Sequence, residues 1–368
     1  MVNIEATLQS IAKAVEAAEL MSGREVKGCY VGVAGANIEG INSRGVVAVT
    51  GRGREISQAD VERVIEAARA VVIPMDREVL HVIPQTYIVD DQKGIRDPLD
   101  MIGVRLEAEV HIITGSVTTA QNLVRCVNRA GFKAEGLILQ SLAAARAVLT
   151  PDEKELGCLL VDLGGGTTDV LLFADGAPYY TASVGAGGAQ VTNDLSIILN
   201  VPMDAAERIK REEGSCYLPH VDPDDVVVIP GVGGRPPQEL PRARVAGVIQ
   251  PRMEEIFRLA RERVESMGYW RLVKGGVVLT GGGALMAGAA DLAYEVFQVP
   301  VRTGAPASLG GLVEEYRSPG FSTAVGLVLM GAERLGPEAA EAKARPEKGK
   351  ARQGQARRKI GDWFKEFF

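Results

Sequence analysis

CLLVDLGGGTTDVLLF, residues 158–173, passes from an apolar run through Asp162, three glycines, two threonines and Asp169 into a second apolar run. Two apolar runs of strand length joined by a glycine turn predict a β-hairpin. Glycine lets backbone N–H groups come close to an anion, Thr167 and Thr168 add hydroxyl donors, and Asp162 is placed to hold Mg²⁺ through water. The chemistry this pattern asks for is phosphate binding. The plainer alternative, in which Gly164, Gly165 and Gly166 only make a tight turn, is weakened by the acids and threonines on either side.

Two further glycine clusters lie C-terminal to the hairpin. GGVVLTGGGALMAGAADLAYEVF (275–297) reads as a buried strand, then Gly281, Gly282 and Gly283, then a helix from about Ala284, an order that suits an anion or nucleotide. SVGAGGAQVTNDL carries Gly185 to Gly188 into another helix. Neither a GxGxxG dinucleotide fingerprint nor a GxxxxGK[ST] loop occurs convincingly.

N-terminal to the hairpin, strand-like and helical runs alternate. Ile4, Leu8, Ile11 and Val15 mark one face of a first helix behind Asn3, GCYVGVAG (28–35) reads as a strand, and Ser57 with Asp60 starts a helix over VERVIEAARAVV. VRLEAEVHIITGS (104–116) alternates as a strand, and residues 35–133 together read as a compact inserted unit with its own sheet. A long polar helix is expected over about 243–266, with Pro251 near its start. The pattern is α/β or α+β, not all-helical.

With 368 residues, 46% hydrophobic and 24% charged, the chain has room for two or three domains. Its 41 Lys+Arg against 47 Asp+Glu argue against a nucleic-acid-coating protein. Four scattered cysteines, no CxxC pair and three histidines suggest neither a zinc site nor a disulfide framework. Charged residues interrupt the first twenty positions, so no secretory signal is read there, and no segment reaches the length of a membrane span.

The C-terminal end differs in kind. From Glu333 to Phe368 ten basic residues face six acidic ones, a local balance of +4 on a chain of net charge −6. Residues 336–356 lack apolar periodicity and read as a flexible linker. Then Ile360, Trp363, Phe364, Phe367 and Phe368 fall on one helical face, with Arg357, Arg358 and Lys359 before them and Lys365 on the flank. Such a helix suits anionic lipid, its aromatics buried and its bases at the headgroups. Docking on a protein groove is permitted by the same periodicity.

Taken together, SRGVVAV (43–49), HVIPQTYIVDDQKGIRDP (81–98), VDLGGGTTDV (161–170), VGGRPP (232–237), VVLTGGG (277–283) and the terminal helix resemble the actin-like ATPase superfamily. Within it they resemble the FtsA family of bacterial cell-division proteins. The resemblance implies an α/β, actin-like (ribonuclease H-like) two-lobed fold with an inserted 1C subdomain and a C-terminal amphipathic helix. It divides the chain into a remnant of 1A (1–34 and 134–155, with 313–335 returning), 1C (35–133), 2A (156–200 and 270–312), 2B (201–269), the linker and the membrane helix (357–368).

Carried over by position, the resemblance makes Asp162 to Asp169 the second phosphate loop and Gly281 to Gly283 the adenosine loop, with Gly187 and Gly188 on the phosphate side. Glu207 and Lys210 match an acidic and basic pair that contacts the nucleoside, although they also read as a plain helix-surface pair. Gln140 matches a water-positioning residue, or is simply a polar strand end. ATP with Mg²⁺ is the implied cofactor. Family members open with a DxGT-type first phosphate loop, and Met1 stands at the helix that would follow it, so the resemblance implies that ATP binding is weakened or lost without that hairpin.

The implied role is a filament-forming adaptor with slow or absent hydrolysis. It would hold the FtsZ ring on the cytoplasmic side of the membrane at the division septum. FtsZ's C-terminal tail would meet 2B, other division proteins 1C, and anionic lipid the tail. The alternatives are an actin-like pilus-assembly ATP-binding protein and a phosphotransferase of the same superfamily.

Overall fold

The computed structural model describes residues 4–231, 236–306 and 314–335. Helix α1 (Ile4–Ser22) leads to β1 (Gly28–Val33), β2 (Glu39–Ala48), α2 (Gln58–Arg69), β3 (Arg77–Val89), β4 (Gln92–Ile95), β5 (Arg105–Ser116) and α3 (Val117–Arg129). Then come β6 (Lys133–Leu139), α4 (Gln140–Val148), α5 (Pro151–Leu156), β7 (Cys158–Leu163), β8 (Thr168–Ala174), β9 (Ala177–Val184), α6 (Gly188–Leu199) and α7 (Met203–Glu212). The last described elements are β10 (Val226–Ile229), β11 (Gln238–Pro241), α8 (Arg242–Glu265), β12 (Val277–Thr280), α9 (Ala289–Phe297), β13 (Val301–Thr303) and α10 (Ser322–Leu335).

The expected hairpin forms as β7 and β8, at the centre of a five-stranded sheet ordered β13-β12-β7-β8-β9. Its apolar runs are unbroken because both faces are covered. Leu159, Val161, Leu163, Val170 and Leu172 pack into one core with Val191, Leu195, Phe257 and Phe297 from the helices that follow. Cys158, Leu160, Leu171 and Phe173 point the other way, onto Leu139, Leu142, Val148 and Val325. Helix α10 closes that second core against α4, so tightly that a Cβ on Gly326 would stand 1.7 Å from the Ala143 carbonyl oxygen.

A separate four-stranded sheet, β2-β5-β3-β4, carries α2 on one face over a core of Ile56, Val64, Ile65, Leu106, Val110 and Ile112. Gly45 permits that approach, since a Cβ there would lie 2.2 Å from the Val64 carbonyl oxygen. At the start of α2 the Ser57 backbone N–H donates to the Asp60 carboxylate at 3.0 Å, the cap read from the sequence.

This sheet sits against β9 through polar bonds. Asn42 Nδ2 donates to the Tyr179 carbonyl at 3.0 Å, and Gln85 Nε2 donates to the Pro178 carbonyl at 2.8 Å. Between them His111, 1% exposed, lies 2.6 Å from Asn42 Oδ1 and 2.9 Å from Thr181 Oγ1 through its two ring nitrogens. Burial pushes its pKa down to about 4, so the ring is neutral at neutral pH.

Two expectations change. The helix expected from about Ala284 begins only at Ala289, after a 3₁₀ turn over Gly282–Leu285. Gly288, at φ +80°, stands just before α9 where a Cβ would lie 2.4 Å from Tyr217 Cβ, and a continuous helix cannot pass through that conformation. Helix α2 ends at Arg69, short of the expected apolar Val71 and Val72, and Val72 is exposed. Among the described residues no helix is long and apolar enough to cross a membrane. The expected linker (336–356) and terminal helix (357–368) lie outside the described residues.

Candidate functional site

The three glycine loops meet at one end of the five-stranded sheet. Strands β7 and β12 are parallel neighbours with Asp162 opposite Thr280, which brings the loops that follow them side by side. Gly281, at φ +81°, stands against the hairpin so closely that a Cβ would be 2.3 Å from Asp162 Oδ1 and 2.7 Å from the Leu163 carbonyl oxygen. A Cβ on Gly283 would meet Leu163 Cβ at 2.8 Å. On the other side, Gly188 N–H donates to the Gly164 carbonyl at 3.0 Å and Ala189 N–H to the Gly165 carbonyl at 2.7 Å. Gly187 is bound to be glycine there, because a Cβ would lie 2.5 Å from the Gly164 carbonyl oxygen.

The tips of these loops stay open. A Cβ on Gly165, Gly166 or Gly282 would meet nothing within 4 Å, and all three residues are exposed. The Gly164 N–H closes the hairpin turn onto the Thr167 carbonyl at 2.9 Å. Thr168 does not offer its hydroxyl outward as expected: the side chain is fully buried and donates to the Ala186 carbonyl at 2.8 Å, tying the third loop to the hairpin.

Two carboxylates form the floor. Asp162 and Asp169 are a directly opposed cross-strand pair, 8% and 7% exposed. Burial, and next the charge of Asp169, push the Asp162 carboxyl up to about 6 against a hydrogen bond from Thr323. Burial likewise raises the Asp169 carboxyl, with the neighbouring Ser183 side chain as the opposing influence. Two desolvated like charges gain from any cation placed beside them. Among the described residues no group of three or more His, Cys, Asp or Glu could hold a metal. A divalent ion here would therefore take a carboxylate of the pair and fill its remaining positions with water and ligand oxygens, the usual habit of Mg²⁺.

Glu207 and Lys210, one turn apart on α7, reach the same place. Lys210 Nζ donates to the Gly188 carbonyl at 3.1 Å, to Thr192 Oγ1 at 2.9 Å and to Glu207 Oε2 at 2.6 Å. The Thr192 hydroxyl stands 2.5 Å from the same Glu207 oxygen. Burial opposes ionisation of Glu207, but hydrogen bonds from Lys210 and Thr192 and the charges of Lys210 and Arg211 outweigh it and hold the carboxyl below its usual range. The pair is thus part of a network on the N-terminal turn of α6 and not a loose surface pair.

Gln140 opens α4 straight after β6 and packs on Gly32 of β1, where a Cβ would be 3.0 Å from Gln140 Cγ. Arg357, Arg358, Lys359, Ile360, Trp363, Phe364, Lys365, Phe367 and Phe368 lie outside the described residues.

Thr192, Ser183 and Thr323 belong to this site and were not singled out in the sequence. Thr192 lies four residues after Gly188 and one helical turn away, so its place was open to reading from helical spacing. Thr323 is 161 residues from Asp162, to which it donates at 3.2 Å, and no local pattern announces it.

Comparison with known proteins agrees with this architecture. The family model "Cell division protein FtsA" matches residues 159–326, and "SHS2 domain inserted in FTSA" matches residues 35–114. The Cell division protein FtsA of Borreliella burgdorferi is 50% identical over 89% of this chain and 80% of its own length. That of Pseudomonas aeruginosa is 46% identical over 91% of this chain and 80% of its own length. The solved structure of the PilM-PilN type IV pilus biogenesis complex is similar at a TM-score of 0.59 and 18% identity, over 89% of this chain and 84% of that chain. At that identity the likeness shows the fold alone, which is actin-like with an inserted subdomain.

Proposed function

This chain belongs to the FtsA family of cell division proteins, and from that membership we propose that it is an actin-like, ATP-binding cell-division adaptor. It binds ATP with Mg²⁺ at the glycine loops, assembles into filaments and anchors the FtsZ ring to the cytoplasmic face of the membrane at the septum. One observation carries the nucleotide part: three glycine loops, one of them about a hundred residues further along the chain than the other two, converge over a buried, mutually repelling carboxylate pair. Open loop tips offer backbone N–H groups to phosphates, and the acid pair suits the cation that accompanies them. Asp162 would face that cation, Gly165, Gly166 and Gly282 the phosphates and nucleoside, and Lys210 with Glu207 would line the α6 side.

The membrane part rests on the sequence of residues 357–368, with five apolar residues on one helical face and three bases ahead of it. The FtsZ tail is assigned to residues 201–269, and other division proteins to the inserted subdomain, by family membership alone. Chemistry is secondary in this reading: the chain works as an adaptor whose nucleotide holds a shape, with turnover slow or absent.

Titration of a fluorescent ATP analogue into the protein, with Mg²⁺ and with EDTA, tests the nucleotide part. Saturable binding that Mg²⁺ strengthens is the expected result. Absence of binding under both conditions would remove ATP from the proposal.

A further inference from the structure

Helix α10 returns from the far end of the chain to pack on α4, and its first turn touches the floor of the glycine-loop site. Thr323 Oγ1 donates to Asp162 Oδ2 at 3.2 Å. The other carboxylate oxygen, Oδ1, is pressed against Gly281, where a Cβ would stand 2.3 Å away. One oxygen is therefore placed by packing and the other by a hydrogen bond.

The position of Thr323 is itself over-determined. Its neighbour Ser322, 1% exposed, has its hydroxyl 2.7 Å from Thr280 Oγ1 at the end of β12, and Thr280 Oγ1 lies 2.9 Å from the Gly304 carbonyl oxygen. The Gly281 N–H donates to the Pro319 carbonyl at 3.2 Å, just ahead of α10. Further along, Gly326 sits directly on the Ala143 backbone of α4. Contacts through Ser322, Pro319 and Gly326 hold the backbone that carries Thr323, which is how a supporting residue is placed to set the direction of a ligand-bearing one.

We propose that Thr323 is a positioning residue for the cation side of this site, fixing the orientation from which the Asp162 carboxylate serves the divalent ion that accompanies a bound nucleotide. The inference rests on the functional reading above. The physical need is plain. Asp162 lies opposite Asp169 in a desolvated position, and repulsion between the two favours rotation of the Asp162 side chain away from its partner. A donor on one oxygen opposes that rotation and fixes the plane of the carboxylate. Thr323 touches neither nucleotide nor ion in this proposal and acts only through Asp162.

The test uses the full chain and compares affinity for a fluorescent ATP analogue in Mg²⁺ with affinity in EDTA, in wild type, Thr323→Val, Thr323→Ala and Thr323→Ser. Valine keeps the shape and removes the hydroxyl, alanine removes both, and serine keeps the hydroxyl. The gain in affinity that Mg²⁺ confers should fall roughly 10-fold in T323V and in T323A, the loss typical of a missing second-layer partner, and return in T323S. A merely structural threonine would lower the melting temperature of the variants without changing the ratio between the two conditions. A full Mg²⁺ gain in T323V and T323A, or a failure of T323S to restore it, overturns the proposal. No binding by wild type in either condition would overturn the nucleotide reading and this inference with it, whereas wild-type binding with an unchanged ratio in the variants overturns the inference alone.

Discussion

Asp162 and Asp169 face each other across the β7–β8 ladder, two buried acids on one face of strands that are otherwise apolar except for Thr168. Opposed like charges destabilise a sheet, and desolvation makes the cost larger. Their side chains are the part of the central hairpin that does not serve its core.

Asp162→Asn should make the protein more stable at neutral pH. A carboxyl raised from 3.8 to about 6 in the folded state favours folding while protonated and loses that advantage as pH rises from about 4 to about 6. At one pKa unit per roughly 1.4 kcal/mol, the substitution should add about 2 to 3 kcal/mol at pH 7.5 and much less at pH 4. Urea unfolding at the two pH values measures this. An equal gain at both would show that Asp162 is not held ionised at a cost.

Gly281→Ala should be costly and Gly165→Ala cheap. At Gly281 the new methyl meets Asp162 Oδ1 and the Leu163 carbonyl in a left-handed conformation, while at Gly165 it meets open space. The first should cost about 2 to 4 kcal/mol and the second under about 1 kcal/mol. Chemical denaturation of both variants, read against wild type, decides whether the loops are packed as described.

His111→Gln should flatten the loss of stability on acidification. A histidine lowered from 6.5 to about 4 contributes stability that is complete above about pH 6.5 and is lost as pH falls toward 4, because the unfolded chain takes up the proton first. The histidine term amounts to about 3 kcal/mol over that window. His81, lowered to about 3 by burial and by Arg334, acts with the same sign, so the variant keeps part of the slope. Melting curves between pH 7 and pH 4.5 give the comparison, and identical slopes would contradict a neutral His111 at the joint with β9.

Lys210→Ala should lower affinity for the ATP analogue roughly 10-fold with or without Mg²⁺, the scale of a lost charge-assisted contact. The lysine holds the Gly188 carbonyl, Thr192 and Glu207 together. Fluorescence titration of the variant measures the effect, and wild-type affinity would return Glu207 and Lys210 to the status of a structural pair.

Trp363→Glu together with Phe364→Glu should release the protein from anionic liposomes, since a charge enters the acyl boundary only at high cost. Sedimentation with vesicles containing phosphatidylglycerol shows it. Undiminished pelleting would mean that the terminal aromatics are not the membrane contact.

Much of this site was readable before any coordinates. The hairpin at 158–173, the strand before Gly281, the helix opening at Gly188 and the cap at Ser57 each follow from short-range chemistry, in which a glycine or a capping acid acts on residues within a turn of itself. The helix expected after Gly283 starts later because Gly288 takes a left-handed conformation, packed against Tyr217, a residue remote in sequence. Thr168 was expected at an anion and is turned inward because its partner, Ala186, belongs to another loop.

By itself, then, the sequence determined the local elements, the glycine turns and the family, all of which depend on neighbours along the chain. Only the tertiary structure decided that Gly281 lies on Asp162, that Lys210 reaches Gly188 and that Thr323 steadies the carboxylate from 161 residues away. Those contacts depend on β12 lying beside β7, on α7 packing against α6 and on α10 packing back onto α4, and such neighbours are chosen by burial of whole faces against one another, which no local pattern of residues records.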